Sequence, residues 1–132
     1  MRYFRLSCII LTMILVLSIG TAYATEVVPY ADPVFDSITI SLSSRKDATF
    51  MCFAYDILDT IKVTDCWLQE KVSNTWRIVC DLTPPDKESH NSHAYAAMMD
   101  YASEIGTGTF RIGATFYADG HETIRYSNAR TF

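Results

Sequence analysis

Alternation is the first signal along the chain. In "FDSITISLSS" (Phe35 to Ser44), Ile38, Ile40 and Leu42 are separated by single polar residues, with Phe35 ahead of them. A period of two sends neighbouring side chains to opposite faces, so this run predicts a half-buried strand. "SRKDA" is a polar turn. "TFMCFAYDI" follows, with Met51, Phe53, Tyr55 and Ile57 on one face and Phe50, Cys52 and Ala54 on the other. Apolar groups on both faces predict a central strand, and the pattern does not choose its inward side. "LDT" (Leu58 to Thr60) reads as a short connection into a strand over "IKVTDCWLQEK". Pro84-Pro85 close the strand before them, because proline donates nothing to a ladder. Further on, Phe110, Ile112, Ala114 and Phe116 alternate, and Asp119-Gly120 then gives a two-residue hairpin signal before "ETIRYSNARTF".

Two segments admit more than one reading. "HAYAAMMDYASEIG" is rich in alanine and methionine, which favour helix, and Tyr95, Met98, Met99 and Ala102 fit helical spacing. Tyr95, Ala97, Met99 and Tyr101 fit strand alternation equally well, so residues 93–104 stay open between the two. The hairpin "DCWLQEKVSNTWRIVCDL" (Asp65 to Leu82) admits several registers. A three-residue loop over Val72, Ser73 and Asn74 sets Cys66 opposite Cys80 and gathers Cys66, Leu68, Trp76, Ile78 and Cys80 on one apolar face. Loops of two or four residues mix the faces, and a one-residue slip reverses them. Segregation therefore favours the three-residue loop, with Asn74 in the left-handed conformation that it tolerates. Trp67 is the one large apolar landmark left on the polar side. Six to seven short strands with at most one helix predict an all-β fold, a small antiparallel immunoglobulin-like β-sandwich.

The N-terminus is read separately from the fold. Arg2 and Arg5 precede the apolar run "LSCIILTMILVLSIG", and "TAYA" ends with Ala22 and Ala24 in the small-residue pattern of a cleavage site. Residues 1–24 therefore read as the helix of a secretory signal peptide, cleaved after Ala24. Cys8 lies inside the apolar run and not behind a small-residue box, which argues against lipid anchoring. No later apolar segment would hold the product to a membrane. Residues 25–34 read as an extended arm and 35–132 as the β-domain. The mature chain carries nine Lys+Arg against fifteen Asp+Glu, a net charge of −6. An acidic chain without a basic stripe argues against nucleic acid or anionic membranes as partners.

Export changes the reading of the cysteines. Cys52, Cys66 and Cys80 remain after cleavage, and an oxidising compartment favours one disulfide among them with one thiol left over. Their spacings of fourteen match neither a C-x-x-C redox motif nor a zinc knuckle. The pairing stays open, with Cys66 the member most readily shared. "HNSH" sets His90 and His93 three apart, with His121 as a conceivable third ligand, but a polar loop of solvated histidines is the simpler reading. Asp56, Asp59 and Asp65 do not match a calcium loop. No hydrolase, zinc-protease or phosphate-loop motif occurs, so no catalytic, metal or cofactor site is assigned. Trp67 is the single candidate for binding.

Taken together, "ITISLSS", "WLQEK…NTW", "GTFRIGATFYA" and "ETIRYS" resemble a family of short secreted proteins from Gram-positive, gut-type anaerobes with no known activity. The matching positions are Leu68-Gln69, Trp76, Gly108–Arg111 and Tyr126-Ser127. The resemblance implies that "AYAAMMDYAS" is a strand, although its Met-Met departs from the Ser-rich strand of the pattern. It implies fold and export and no activity. The expected function is a non-catalytic extracellular interaction module for a protein or glycan. The alternative is a secreted effector, a bacteriocin-like toxin or an enzyme inhibitor, with Thr83–Ser92 as its reactive loop. A flat apolar patch would favour the module, and a pocket of converging polar groups with perturbed acids would favour an enzyme.

Overall fold

One 26-residue strand organises the molecule. The computed structural model describes residues 31–132. In chain order the strands are β1 (Phe35–Leu42), β2 (Asp47–Val72), β3 (Thr75–Leu82), β4 (Glu88–Asp100), β5 (Thr109–Ala118), β6 (His121–Tyr126) and β7 (Arg130–Thr131). A single 3-10 turn, Ala102–Glu104, joins β4 to the segment before β5. The expected signal peptide, 1–24, and the arm as far as Tyr30 lie outside the described residues.

All seven strands join one antiparallel sheet with β2 as its spine. Along its first half β2 pairs with β1 on one edge, Ile40 opposite Phe50, and with β4 on the other, Cys52 opposite Tyr95. Along its second half it pairs with β5, Leu68 opposite Ile112, and with β3. β6 then pairs with the far edge of β5, and β7 adds two residues along that edge. Alternation sends Phe50, Cys52, Leu68, Tyr95, Ile112 and Phe116 into a single core, where each is almost fully buried. The Phe116 ring lies 6.4 Å from Phe35 and 6.3 Å from Phe50, so β5 packs against both β1 and the first half of β2. Full burial of each such ring contributes roughly 2–3 kcal/mol.

The connection expected at Leu58–Thr60 is instead continuous strand. The segment holds no glycine, proline or asparagine on which to turn. Phe53 opposes Ala94 and Leu58 opposes Ser92, so Ala54–Ile57 bulge out of the ladder with β4. Backbone groups near the bulge find other partners. Tyr55 N donates to Val34 O at 3.1 Å. Asp59 N and Thr60 N donate to the Asp119 carboxylate, at 2.9 Å each.

The structure also changes the expected hairpin and "HNSH" loop, and decides the segment left open between helix and strand. The β2–β3 loop has two residues, Ser73 (φ 52°) and Asn74 (φ 62°), both positive as a type I′ turn requires. Val72 faces Thr75 and Gln69 faces Ile78, and a bulge at Val79 then sets Leu68, not Cys66, opposite Cys80. Trp76 and Ile78 consequently leave the core, and Ile78 is 66% exposed. "HNSH" is strand rather than loop, with His90 opposite Thr60. Residues 93–100 are strand, and helix-favouring composition is overridden because Tyr95, Ala97 and the half-buried Met99 fill the core side. Asp119-Gly120 forms the expected hairpin turn, with φ of 47° and 88°.

Candidate binding surfaces

β2 carries apolar side chains on both faces, and the structure shows which of them are left outside. Phe50, Cys52 and Ala54 point into the core. Met51, Phe53, Tyr55 and Ile57 point outward, and Ile57 at the bulge is 72% exposed. Register places Thr49 opposite Met98, Met51 opposite Ala96 and Phe53 opposite Ala94. Met98 (66% exposed) thus extends the same face, while the two alanines keep it low. On the other side Thr39 opposes Met51 and Ser37 opposes Phe53. Charge borders this face at Asp56, exposed between Tyr55 and Ile57, and at Lys87, which lines a shallow cleft with Thr49, Ala96 and Met98. The five large side chains of the face leave an apolar surface on the order of 500 Å², within the roughly 300–600 Å² of the largest patch on a typical monomer, which is often functional.

A second outer face is built where β3, β2, β5 and β6 run side by side. The Arg111 guanidinium lies between two rings, 4.3 Å from the centre of Trp76 and 4.2 Å from that of Tyr126. Its Nε donates to Gln69 Oε1 at 2.6 Å. Lys71 sits over the Trp76 ring at 5.9 Å. Trp67, the candidate from the sequence, is half-buried beside this ladder, and its ring meets Tyr126 at 6.1 Å and 79°. A Cβ at residue 113 would collide with Trp67 atoms Cε2, Nε1 and Cζ2, so only glycine lets the indole lie on β5. Alternation could not reveal this ladder, because Gln69, Trp76, Arg111 and Tyr126 are distant in sequence. Four motif positions quoted above, Gln69, Trp76, Arg111 and Tyr126, meet here. Ser127 adds support, its hydroxyl accepting from Ile112 N at 2.9 Å.

The histidines are not brought together. His90 contacts Glu88 at 3.3 Å and lies near the Asp59 carbonyl. His121 engages Asp32, which no sequence motif singles out, at 3.1 Å. Thr123 donates its hydroxyl to Asp32 Oδ2, and Val34 N and Phe35 N donate to Oδ1 at 2.8 and 2.9 Å. Burial pushes the Asp32 carboxyl up, but the bonds from Thr123, Phe35, Val34 and His121 outweigh it and hold the group well below the usual carboxylate range. The trio resembles a hydrolytic relay only in composition. Both Asp32 and Thr123 meet His121 through Nε2, whereas a relay uses the two ring nitrogens separately. The cluster fastens residues 32–35 to β6. Among the described residues, no three His, Cys, Asp or Glu side chains gather as metal ligands.

The disulfide expected among Cys52, Cys66 and Cys80 is not formed in this structure, where all three are free thiols on separate strand positions. Cys52 opposes Tyr95, Cys66 opposes Leu82, and Cys66 Sγ lies 3.8 Å from Met99 Sδ. Burial pushes the Cys52 and Cys66 thiols up to about 12, with Asp65 and Asp81 adding to the effect at Cys66. Cys80 is raised by burial and by Glu104, to which it lies 3.8 Å away. The Thr83–Ser92 segment divides into a short loop and the start of β4. An open cleft of about 350 Å³ there is lined by Lys62, Pro84, Asp86, Lys87 and Glu88 among others. The Asp32 carboxyl is not among its lining residues. The chain matches no protein-family model and no curated protein.

Proposed function

We propose that this protein is a secreted, non-catalytic interaction module that binds an extracellular protein through the outer apolar face of β2. One observation carries the reading: Met51, Phe53, Tyr55, Ile57 and Met98 stand exposed on the outer side of β2 and β4, with Asp56 and Lys87 as the charges beside them. An exposed apolar surface of this size is a standing cost in water unless a partner covers it. With the flanking Ser37, Thr39, Thr49 and alanines it approaches the roughly 800 Å² that one side of a stable interface buries. Export rests on the tripartite N-terminal pattern of residues 1–24. The finer architecture we propose is an immunoglobulin-like sandwich, the sheet folding over where β2 bulges at Ala54–Ile57. Contacts of Phe116 with Phe35 and Phe50 support that closure. The resemblance to short secreted Gram-positive proteins agrees in fold and export.

The test is a double substitution, Phe53→Asp with Ile57→Asp. Both side chains are exposed, so thermal stability should change by less than about 1 kcal/mol. The wild-type protein is expected to retain one defined extracellular protein through purification from culture supernatant, and the variant to lose it. Recovery of wild type only as free monomer contradicts the reading.

A further inference from the structure

We propose that the Arg111 ladder is a separate binding site for a carboxylate-bearing sugar, independent of the apolar face of β2. Both flat faces of the guanidinium are covered, by Trp76 and Tyr126, and its Nε is held by the buried Gln69. Among the described residues its two terminal NH2 groups have no hydrogen-bond partner. A ligand can therefore reach Arg111 only in the guanidinium plane and at its Nη end. That is the approach a carboxylate uses for paired, charge-assisted hydrogen bonds, and the fork is already oriented for it. Lys71, exposed at the Trp76 edge of the ladder, adds a second cation on the same face.

The surroundings select what carries the carboxylate. Trp67 lies over Gly113, and Tyr126 meets it nearly at a right angle. The two rings form an aromatic corner beside Arg111, suited to the C–H face of a pyranose. A peptide terminus fits less well, because recognition of extended peptides draws on free main-chain groups. β5 offers none at this point. Gln69 pairs opposite Arg111, and on the other edge Ile112 N donates to Ser127 Oγ while Ile112 O accepts from Ser127 N at 2.8 Å. Only side chains remain to read the ligand. A ring acid such as a uronate satisfies all three features at once, the in-plane fork, the apolar corner and the second cation.

The experiment titrates the purified protein with galacturonate, with its trimer and with the neutral galactose trimer, following the indole N–H signals of Trp67 and Trp76 and the Nε–H signal of Arg111. The uronates should shift all three signals saturably, the neutral trimer should not, and Arg111→Lys should weaken binding about tenfold or more. Equal response to monomer and trimer identifies a single sugar acid, and a stronger trimer response identifies a polyuronide. The proposal is overturned by no shift, by equal shifts with the neutral trimer, or by acetate or a C-terminal peptide carboxylate acting as strongly as the uronate. If Arg111→Lys fails to fold, the wild-type contrast between uronate and neutral trimer still decides.

Discussion

Asp32 illustrates how one buried side chain ties a segment to the sheet and makes stability depend on pH. The carboxylate is nine-tenths buried and accepts from Val34, Phe35, Thr123 and His121. These bonds favour its ionised form in the folded state, so between the folded and unfolded values the unfolded chain holds the proton more readily. Stability from Asp32 is thus fully present above the ordinary carboxylate value, about pH 4, and is lost as pH falls below it. Asp32→Asn should cost about 2 kcal/mol at neutral pH, and urea unfolding should show the gap from wild type closing toward about pH 2. A gap that stays constant would contradict this role. The thiols give a second residue-scale expectation. Cys52 and Cys66 are buried with raised pKa values, and Cys80 is partly accessible. A polar maleimide should label Cys80 slowly in the native protein, and Cys52 and Cys66 only after unfolding. Peptide mapping that finds any two of them disulfide-linked would count against the free-thiol arrangement.

At the scale of elements, the β2–β3 hairpin shows what local pattern conveys and what it omits. β1 and the β5–β6 hairpin were legible, because strict alternation and Asp119-Gly120 are local signals. The β2–β3 register was not. Choosing the loop that segregated polar from apolar residues assumed that Trp76 belonged inside, whereas Arg111 on β5 covers it from outside. The Val79 bulge also changes register partway along the pair, which no single loop length reproduces. The continuity of β2 through Leu58–Thr60 depends on Asp119, some sixty residues away. Trp67 was legible as an oddity and illegible as a packed ring, since its support is the absent side chain of Gly113. That contact gives a sharp test of the element. Gly113→Ala should destabilise the protein by about 1–3 kcal/mol and alter tryptophan fluorescence. Adding Trp67→Ala should then cost less than it does in the wild type, since the two changes remove one contact. Full additivity of unfolding free energies would show that indole and glycine are not coupled.

Across the whole molecule, β2 supplies the core with one face and presents the other to solvent at both of its ends. Its first half exposes Met51, Phe53, Tyr55 and Ile57, and its second half contributes Gln69, Trp67 and Lys71 to the ladder around Arg111. The two surfaces differ in chemistry, one mainly apolar, the other aromatic and locally cationic on an acidic chain. That difference suits two kinds of ligand, and a partner protein on the apolar face is the central claim. A photocrosslinking residue at position 57, introduced into the protein in the cells that make it, tests it most directly. The account predicts one discrete protein adduct at position 57, absent when Phe53→Asp is added and absent when the same crosslinker replaces Ser44 in the β1–β2 turn. No adduct at position 57, or adducts equally abundant from both positions, would contradict it.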